Sequence, residues 1–229
     1  MSRTKAIADP RRLVVSGDRH SRAADAFRLL RSNLRYASVD VPLRALTVTS
    51  ALAGEGKSLT AANLAIAMAQ AGADTLLVDA DLRKPGQRNL FTLPEQMGLP
   101  GLLVGKASLD QGIWPTSVEH LSLVAGDTIP PNPAELLQSS TMKSLHGEFL
   151  ERYELVIYDA PPVLLAVEAL DLSVMAGAAL LVVKAEKTPK DAVRDAVGQL
   201  RRARVDVLGT VLNGVRPRRG YGYYDYHYA

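Results

Sequence analysis

The chain has 229 residues, 47% hydrophobic and 22% charged, and 27 Lys and Arg against 24 Asp and Glu leave a net charge of only +3. That composition excludes disordered and collagen-like chains, provides for a sizeable core, and gives little support to nucleic-acid binding. With no cysteine, and with His20, His120, His146 and His227 too scattered for metal-ligand spacing, disulfides, thiol catalysis and cysteine-ligated metals are excluded.

In chain order, residues 1–20 carry Pro10, Arg11, Arg12 and Gly17 without apolar periodicity and read as a mobile, weakly packing arm. The N-terminus lacks a signal-peptide stretch and no apolar run reaches the ~20 residues that span a bilayer, so a soluble, cytoplasmic protein is expected. From 21 to 37, Phe27, Leu30 and Leu34 recur on one face with Asp25, Arg28, Arg31 and Arg35 on others, which predicts an amphipathic helix. Apolar strands then alternate with helical patterns. Strands are expected at 45–50, 74–80, 120–126, 155–160, 179–186 and 207–213, with a helix over 57–71. Their near-continuous apolar character predicts burial on both faces, hence a mostly parallel sheet flanked by helices in one α/β domain over 21–215. A further helix is expected to start with Thr188 as N-cap, Pro189 in the first turn and Asp191 at the capping-box position. Phe91–Pro115, with Trp114, offers packing residues and no motif. Residues 216–229 hold five of the eight tyrosines, Tyr221, Tyr223, Tyr224, Tyr226 and Tyr228, among Pro, Gly and charge, and read as a disordered tail.

The strongest motif follows the first strand: Ala51-Leu-Ala-Gly54-Glu55-Gly56-Lys57-Ser58, a P-loop with Ala51 where glycine commonly stands. Its glycines let successive N–H groups face phosphate oxygens, Lys57 adds charge toward the β- and γ-phosphates, and the Ser58 hydroxyl can ligate Mg²⁺. Strand, loop, Lys-Ser and helix agree, where a plain Gly-rich turn would need only the glycines. Asp79 and Asp81 close the second strand and Asp159 a later one. Strand ends on the carboxyl side of a parallel sheet converge on the ligand crevice, so these carboxylates can hold Mg²⁺ or its waters and orient or deprotonate a hydroxyl, or simply cap helices. Arg83 and Lys84 would bring cations to the phosphates or lie on a solvated loop.

Together these residues resemble the bacterial tyrosine kinases of capsule and exopolysaccharide assembly, the CpsD/CapB-like kinases. The resemblance spans nearly the whole chain and rests on the P-loop, a Walker A′ motif (Leu76–Asp81, continuing Leu82-Arg-Lys-Pro85), a Walker B motif (Val156–Asp159, then Ala-Pro-Pro), Pro130–Leu137, the Asp25-x-x-Arg28-x-x-Arg31 helix and the tyrosine tail. It implies a P-loop NTPase of the partitioning-ATPase-like variant that uses ATP and Mg²⁺ to phosphorylate its own tyrosines, the tail of one subunit entering its neighbour's site in a ring. Ala53, Gly54, Glu55, Gly56, Lys57, Ser58 and Leu59 would bind ATP, with Asn213 on the adenine, although a cap explains Asn213 equally. Ser58, Asp81 and Asp159 would hold the metal or its waters, Lys57 and the three aspartates form the catalytic set, and Asp79 accept the tyrosine proton, roles the sequence would allow to be exchanged. Asp25, Arg28 and Arg31 would make inter-subunit contacts, and the tail tyrosines be the phosphoacceptors.

Two positions depart from the family pattern: Asp25 stands where Glu is usual, and Ala53 where Pro is common. The absence of membrane spans implies a separate membrane-embedded co-polymerase-type activator that holds the kinase at the inner face of the plasma membrane, and cytoplasmic protein substrates are possible. A positioning-type ATPase of the same fold is the main alternative, but its signature lysine, two places before the first glycine of the Gly-x-Gly-Lys core, is replaced by Leu52. A nucleotide-gated scaffold is compatible with the kinase reading. Arginines at both ends lack an interleaved aromatic surface, so no nucleic acid is expected.

Overall fold

The computed structural model describes residues 5–9, 13–18, 21–37, 42–93, 97–126 and 130–215. Its elements run β1 (Ile7–Ala8), α1 (Arg22–Ala37), β2 (Ala45–Ser50), α2 (Lys57–Ala69), β3 (Thr75–Asp79), α3 (Gln87–Leu90), β4 (Phe91–Thr92), α4 (Leu99–Leu103), α5 (Leu109–Gly112), β5 (Trp114–Pro115), β6 (Leu121–Val124), α6 (Pro133–Gln138), α7 (Ser140–Arg152), β7 (Leu155–Asp159), α8 (Val167–Ala176), β8 (Ala178–Lys184), α9 (Lys190–Arg202) and β9 (Asp206–Asn213). Seven strands form one sheet in the order β5-β6-β3-β7-β2-β8-β9, parallel throughout except for β5 at one edge. This is the expected α/β architecture of a P-loop NTPase.

Alternate residues of each central strand feed two cores, one on each face of the sheet. Val156 and Tyr158 of β7 join Leu76 and Val78 of β3 on the side covered by α4 to α9, while Leu155, Ile157 and Leu77 face α1 and α2. Both faces are covered, so the strands have no polar side and read as unbroken apolar runs. Helix α2 is buried almost all round, from Thr60 to Ala69, because it lies between the sheet and a second layer. Its alanines permit that double approach.

Part of the second layer is the N-terminal segment, and for the described residues 5–9 and 13–18 the structure corrects the expectation of a weakly packing arm over 1–20. Ala6, Leu13 and Val15 are fully buried against α2 and its neighbours. Strand β1 pairs antiparallel with β4, Ile7 opposite Thr92, and Ala6 bridges Thr116. Asn63 Oδ1 accepts from Val15 N at 3.2 Å, and Gln70 Nε2 donates to Val15 O at 3.1 Å. Three apolar side chains at irregular spacing anchor the segment, a pattern with neither helical nor strand period. Phe91–Pro115 supplies the other half of this ladder and the antiparallel edge strand, with Trp114 buried opposite Leu123.

The start of α9 needs a second correction. Its N-cap position is held by Pro189, with helical hydrogen bonding from Lys190. The Thr188 hydroxyl is drawn instead to Lys184 N and to Glu55 of the P-loop. The tail 216–229, with its tyrosines, lies outside the described residues. Among the described residues no helix is long and apolar enough to cross a membrane.

Candidate active site

The sheet order places β2 next to β7 and β7 next to β3, so the P-loop after β2, Asp159 ending β7 and Asp79 ending β3 emerge side by side. Asp79 and Asp159 are direct partners across the β3–β7 ladder. Segments far apart in sequence thus deliver their charges to one edge of the sheet, as their strand-end positions led us to expect.

In the P-loop, Gly54 and Gly56 adopt φ of 79° and 92°, left-handed values that favour glycine. At Gly56 space is as strict as conformation, since a Cβ would stand 2.0 Å from Asn213 Nδ2. Lys57 follows as the first residue of α2, so its side chain turns back over the loop. Its ammonium lies 2.6 Å from Asp81 Oδ2, 3.5 Å from Asp159 Oδ1 and 3.3 Å from Ser58 Oγ. Burial works against that charge, but the carboxylates of Asp159 and Asp81 outweigh it and hold the lysine above its ordinary value.

The two fully buried aspartates are held differently. Asp79 Oδ2 accepts the backbone N–H groups of Gly86 and Gln87, both at 2.9 Å, whereas Oδ1 is buried with no hydrogen-bond partner among the described residues. Burial, reinforced by the charge of Asp159, pushes the Asp79 carboxyl up to about 8, against the opposing pull of the Gln87 N–H and Lys57. Asp159 is also raised by burial, though Lys57, Ser58 and Gln87 favour its charged form. Gln87, absent from the sequence-based candidates, bridges the site: its Nε2 donates to Asp159 Oδ2 at 2.8 Å and to Ser58 O at 2.9 Å. Its one sequence signal is its place six residues after Asp81, beyond a Lys-Pro-Gly turn.

A cleft of about 790 Å³ opens beside these groups, lined by Ala53, Gly54, Gly56, Lys57, Ser58, Leu59 and Asp81 among others, while Asp79, Asp159 and Gln87 are fully buried and lie outside its lining. Lys84 also lines it, and its N–H donates to Asp81 Oδ1 at 3.1 Å. Arg83 is engaged elsewhere: its Nε and Nη2 reach Oε1 of the buried Glu168 at 2.8 and 2.7 Å. Glu55 turns its carboxylate inward, where Oε2 accepts from Leu52 N at 3.0 Å and Oε1 from the Thr188 hydroxyl. Asn213 Nδ2 donates to Glu55 O at 2.8 Å.

Asp25, Arg28 and Arg31 are not part of this cleft. Arg28 pairs with Asp25 at 2.5 Å on the exposed side of α1, and Arg31 Nη1 donates to Ala67 O of α2 at 3.0 Å.

The residues present suit Mg²⁺ and a nucleoside triphosphate. A cation, the Lys57 ammonium, already stands where Ser58 Oγ, Asp81 and Asp159 converge. Among the described residues no three His, Cys, Asp or Glu side chains form a preformed metal cage. Mg²⁺ takes one or two carboxylates and completes its shell with phosphate and water, and Asp81 and Asp159 supply two beside the Ser58 hydroxyl. The two left-handed glycines shape the loop for phosphate.

Comparison with known proteins shows the family of the chain. The family model ParA, described as NUBPL iron-transfer P-loop NTPase, matches residues 43–216. The tyrosine-protein kinase YwqD of Bacillus subtilis is 39% identical over 93% of this chain and 91% of its own length. The crystal structure of the chimerical protein CapA2B2 superposes with a TM-score of 0.87, at 37% identity, covering 93% of this chain and 94% of that one. The kinase domain of the Escherichia coli tyrosine kinase ETK gives a TM-score of 0.84 at 30% identity, over 97% of this chain and 88% of that one. With the P-loop, the Walker A′ and Walker B carboxylates and these relatives in agreement, the chain belongs to the bacterial tyrosine kinases and is a tyrosine-protein kinase of P-loop NTPase fold.

Proposed function

We propose that the chain is an ATP- and Mg²⁺-dependent autokinase that phosphorylates its C-terminal tyrosines in trans, the tail of one subunit entering the cleft of the next in a ring. In this reading Asp25, Arg28 and Arg31 contact the neighbouring subunit. A membrane-embedded co-polymerase-type partner recruits the kinase to the inner face of the plasma membrane, where phosphorylation regulates capsule or exopolysaccharide polymerisation and export. Cytoplasmic proteins are further substrates. Each added phosphate brings about −1.5 to −2 charge to the tail, and that repulsion would empty the neighbour's cleft and loosen the ring.

The observation that carries the reading is the unpartnered, buried Oδ1 of Asp79 beside the P-loop lysine. A tyrosine phenol with pKa ~10 is a poor nucleophile until a base takes its proton. Transfer to an ordinary carboxylate is uphill by roughly 8 kcal/mol, and to one near 8 by only about 3 kcal/mol. In its ionised form, whose share grows as pH rises toward 8, Asp79 accepts the proton at Oδ1 while Gly86 and Gln87 hold Oδ2. The N–H groups of the P-loop with Lys57 bind the triphosphate, so Lys57 exchanges a carboxylate partner for phosphate. Ser58, Asp81 and Asp159 would hold Mg²⁺, which when bound neutralises phosphate charge as the phosphoryl group is transferred. Gln87 keeps Asp159 and Ser58 in fixed relation, and Asn213 would contact the adenine.

The test is mass spectrometry of the tail after incubation with Mg²⁺-ATP, with and without the cytoplasmic part of the membrane partner. Phosphate on Tyr221–Tyr228 that vanishes in Lys57→Met is expected. ATP hydrolysis with no tail phosphotyrosine under either condition would refute the autokinase.

A further inference from the structure

Glu55 is fastened through its carboxylate to the turn after β8 and through its main-chain carbonyl to the end of β9. Its carboxylate accepts from the Thr188 hydroxyl, whose oxygen in turn accepts from Lys184 N at 2.9 Å. Thr188 thereby closes the 184–188 turn, which also carries Lys187 N to Lys184 O at 3.2 Å and places Glu186 at a φ of 61°. From the same turn Ala185 N donates to Asn213 O at 2.9 Å. The Asn213 side chain completes the circuit by donating to Glu55 O, and the contact is close because position 56 has no Cβ to obstruct it. The path Glu55–Thr188–turn–Asn213–Glu55 is therefore a ring of hydrogen bonds that joins the middle of the phosphate loop to the ends of β8 and β9.

We propose that Thr188 is a positioning residue for nucleotide recognition: its bond to Glu55 sets the distance and angle between the phosphate loop and Asn213, and so matches the cleft to a nucleoside rather than to polyphosphate alone. The inference rests on the reading of Asn213 as the residue that meets the base. Phosphate binding by Gly54, Gly56, Lys57 and Ser58 does not depend on the ring, because those groups are set by the loop's own glycines and by α2. Base recognition does, because the ring ties the Asn213 amide to the loop through both its main chain and its side chain.

The test compares binding of Mg²⁺-ATP and of Mg²⁺-tripolyphosphate, which has no base, by titration calorimetry on the full chain. Thr188→Val, which keeps the shape and removes the hydroxyl, is expected to weaken ATP by more than twofold and up to about fivefold, the ceiling set by one ordinary hydrogen bond that the loop and Asn213 must do without when they order around the ligand, and to leave tripolyphosphate within twofold. Thr188→Ala gives the same split by a second route, and Thr188→Ser restores ATP binding. Asn213→Ala is run beside them. If it shifts the ratio of ATP to tripolyphosphate while both hydroxyl deletions leave that ratio alone, the positioning role is overturned and the reading of Asn213 stands. Equal weakening of both ligands in Thr188→Val overturns it too, since Thr188 would then merely stiffen the phosphate loop. If Asn213→Ala leaves the ratio unchanged, the base-side reading fails and the proposal fails with it.

Discussion

Asp79 contributes to the pH dependence of stability in the opposite sense to a surface carboxylate, and Asp79→Asn isolates the effect. The carboxyl is fully buried and raised from 3.8 to about 8. Below pH 3.8 the folded and unfolded chains both carry the proton, and the group contributes nothing. As pH rises the unfolded chain releases its proton while the folded chain keeps it, so stability falls by ~1.4 kcal/mol per pH unit until the folded value is passed. Between pH 5 and pH 7 the loss is about 3 kcal/mol. The asparagine variant does not titrate. It still offers one oxygen to Gly86 N and Gln87 N, and the amide placed at the buried Oδ1 position costs the same at either pH. Urea unfolding of ligand-free wild type and Asp79→Asn at pH 5 and pH 7 gives four stabilities. The gap between the proteins should move by about 3 kcal/mol in favour of the variant at the higher pH. A gap constant to within ~0.5 kcal/mol would show that Asp79 ionises like an exposed carboxylate and would remove the argument for it as a base matched to a phenol.

Two further substitutions probe the scaffold. Leu13→Ala should cost about 3 kcal/mol in urea unfolding, as expected for a fully buried leucine in a packed core, and a loss under ~1 kcal/mol would mean that the N-terminal segment is not part of the cooperative core. Arg83→Ala leaves the buried Glu168 without its cation. It should cost about 2 kcal/mol, short of a fully buried pair because the arginine is half exposed, and adding Glu168→Gln should recover more than half; no recovery would mean that Arg83 acts through packing.

The parts of this molecule legible in its sequence are those whose physics is local. The six expected strands form within two residues of their bounds, because residues buried on both faces make unbroken apolar runs. The P-loop declared itself through glycines whose φ values few other residues tolerate. The aspartates could be placed by one rule of parallel sheets, and three strands adjacent in space but not in sequence then brought them together. What stayed hidden depends on partners across the fold. Gln87 is a plain polar residue until Asp159 and Ser58 stand beside it, and Glu168 is an ordinary helix-start acid until Arg83 covers it. Thr188 satisfied every local criterion for a helix cap, but two partners outside the helix, Lys184 N and Glu55, hold its hydroxyl one residue short of that role. The N-terminal segment has too few apolar residues, too unevenly spaced, for any periodicity to show that α2 needs a cover.

Because Asp79 and Asp159 sit opposite one another in a hydrogen-bonded ladder, their backbone spacing is the interval between neighbouring strands, ~4.8 Å, rather than a property of any loop. The chemistry is measured with a ruler that the peptide bond supplies. Insertions between the ends of β3 and β7 can lengthen the surface without moving that mark, whereas sliding either strand by a single residue would turn its carboxylate to the opposite side of the sheet. Variation among proteins built this way is therefore free where the chain wanders between strands and forbidden where two strands merely touch.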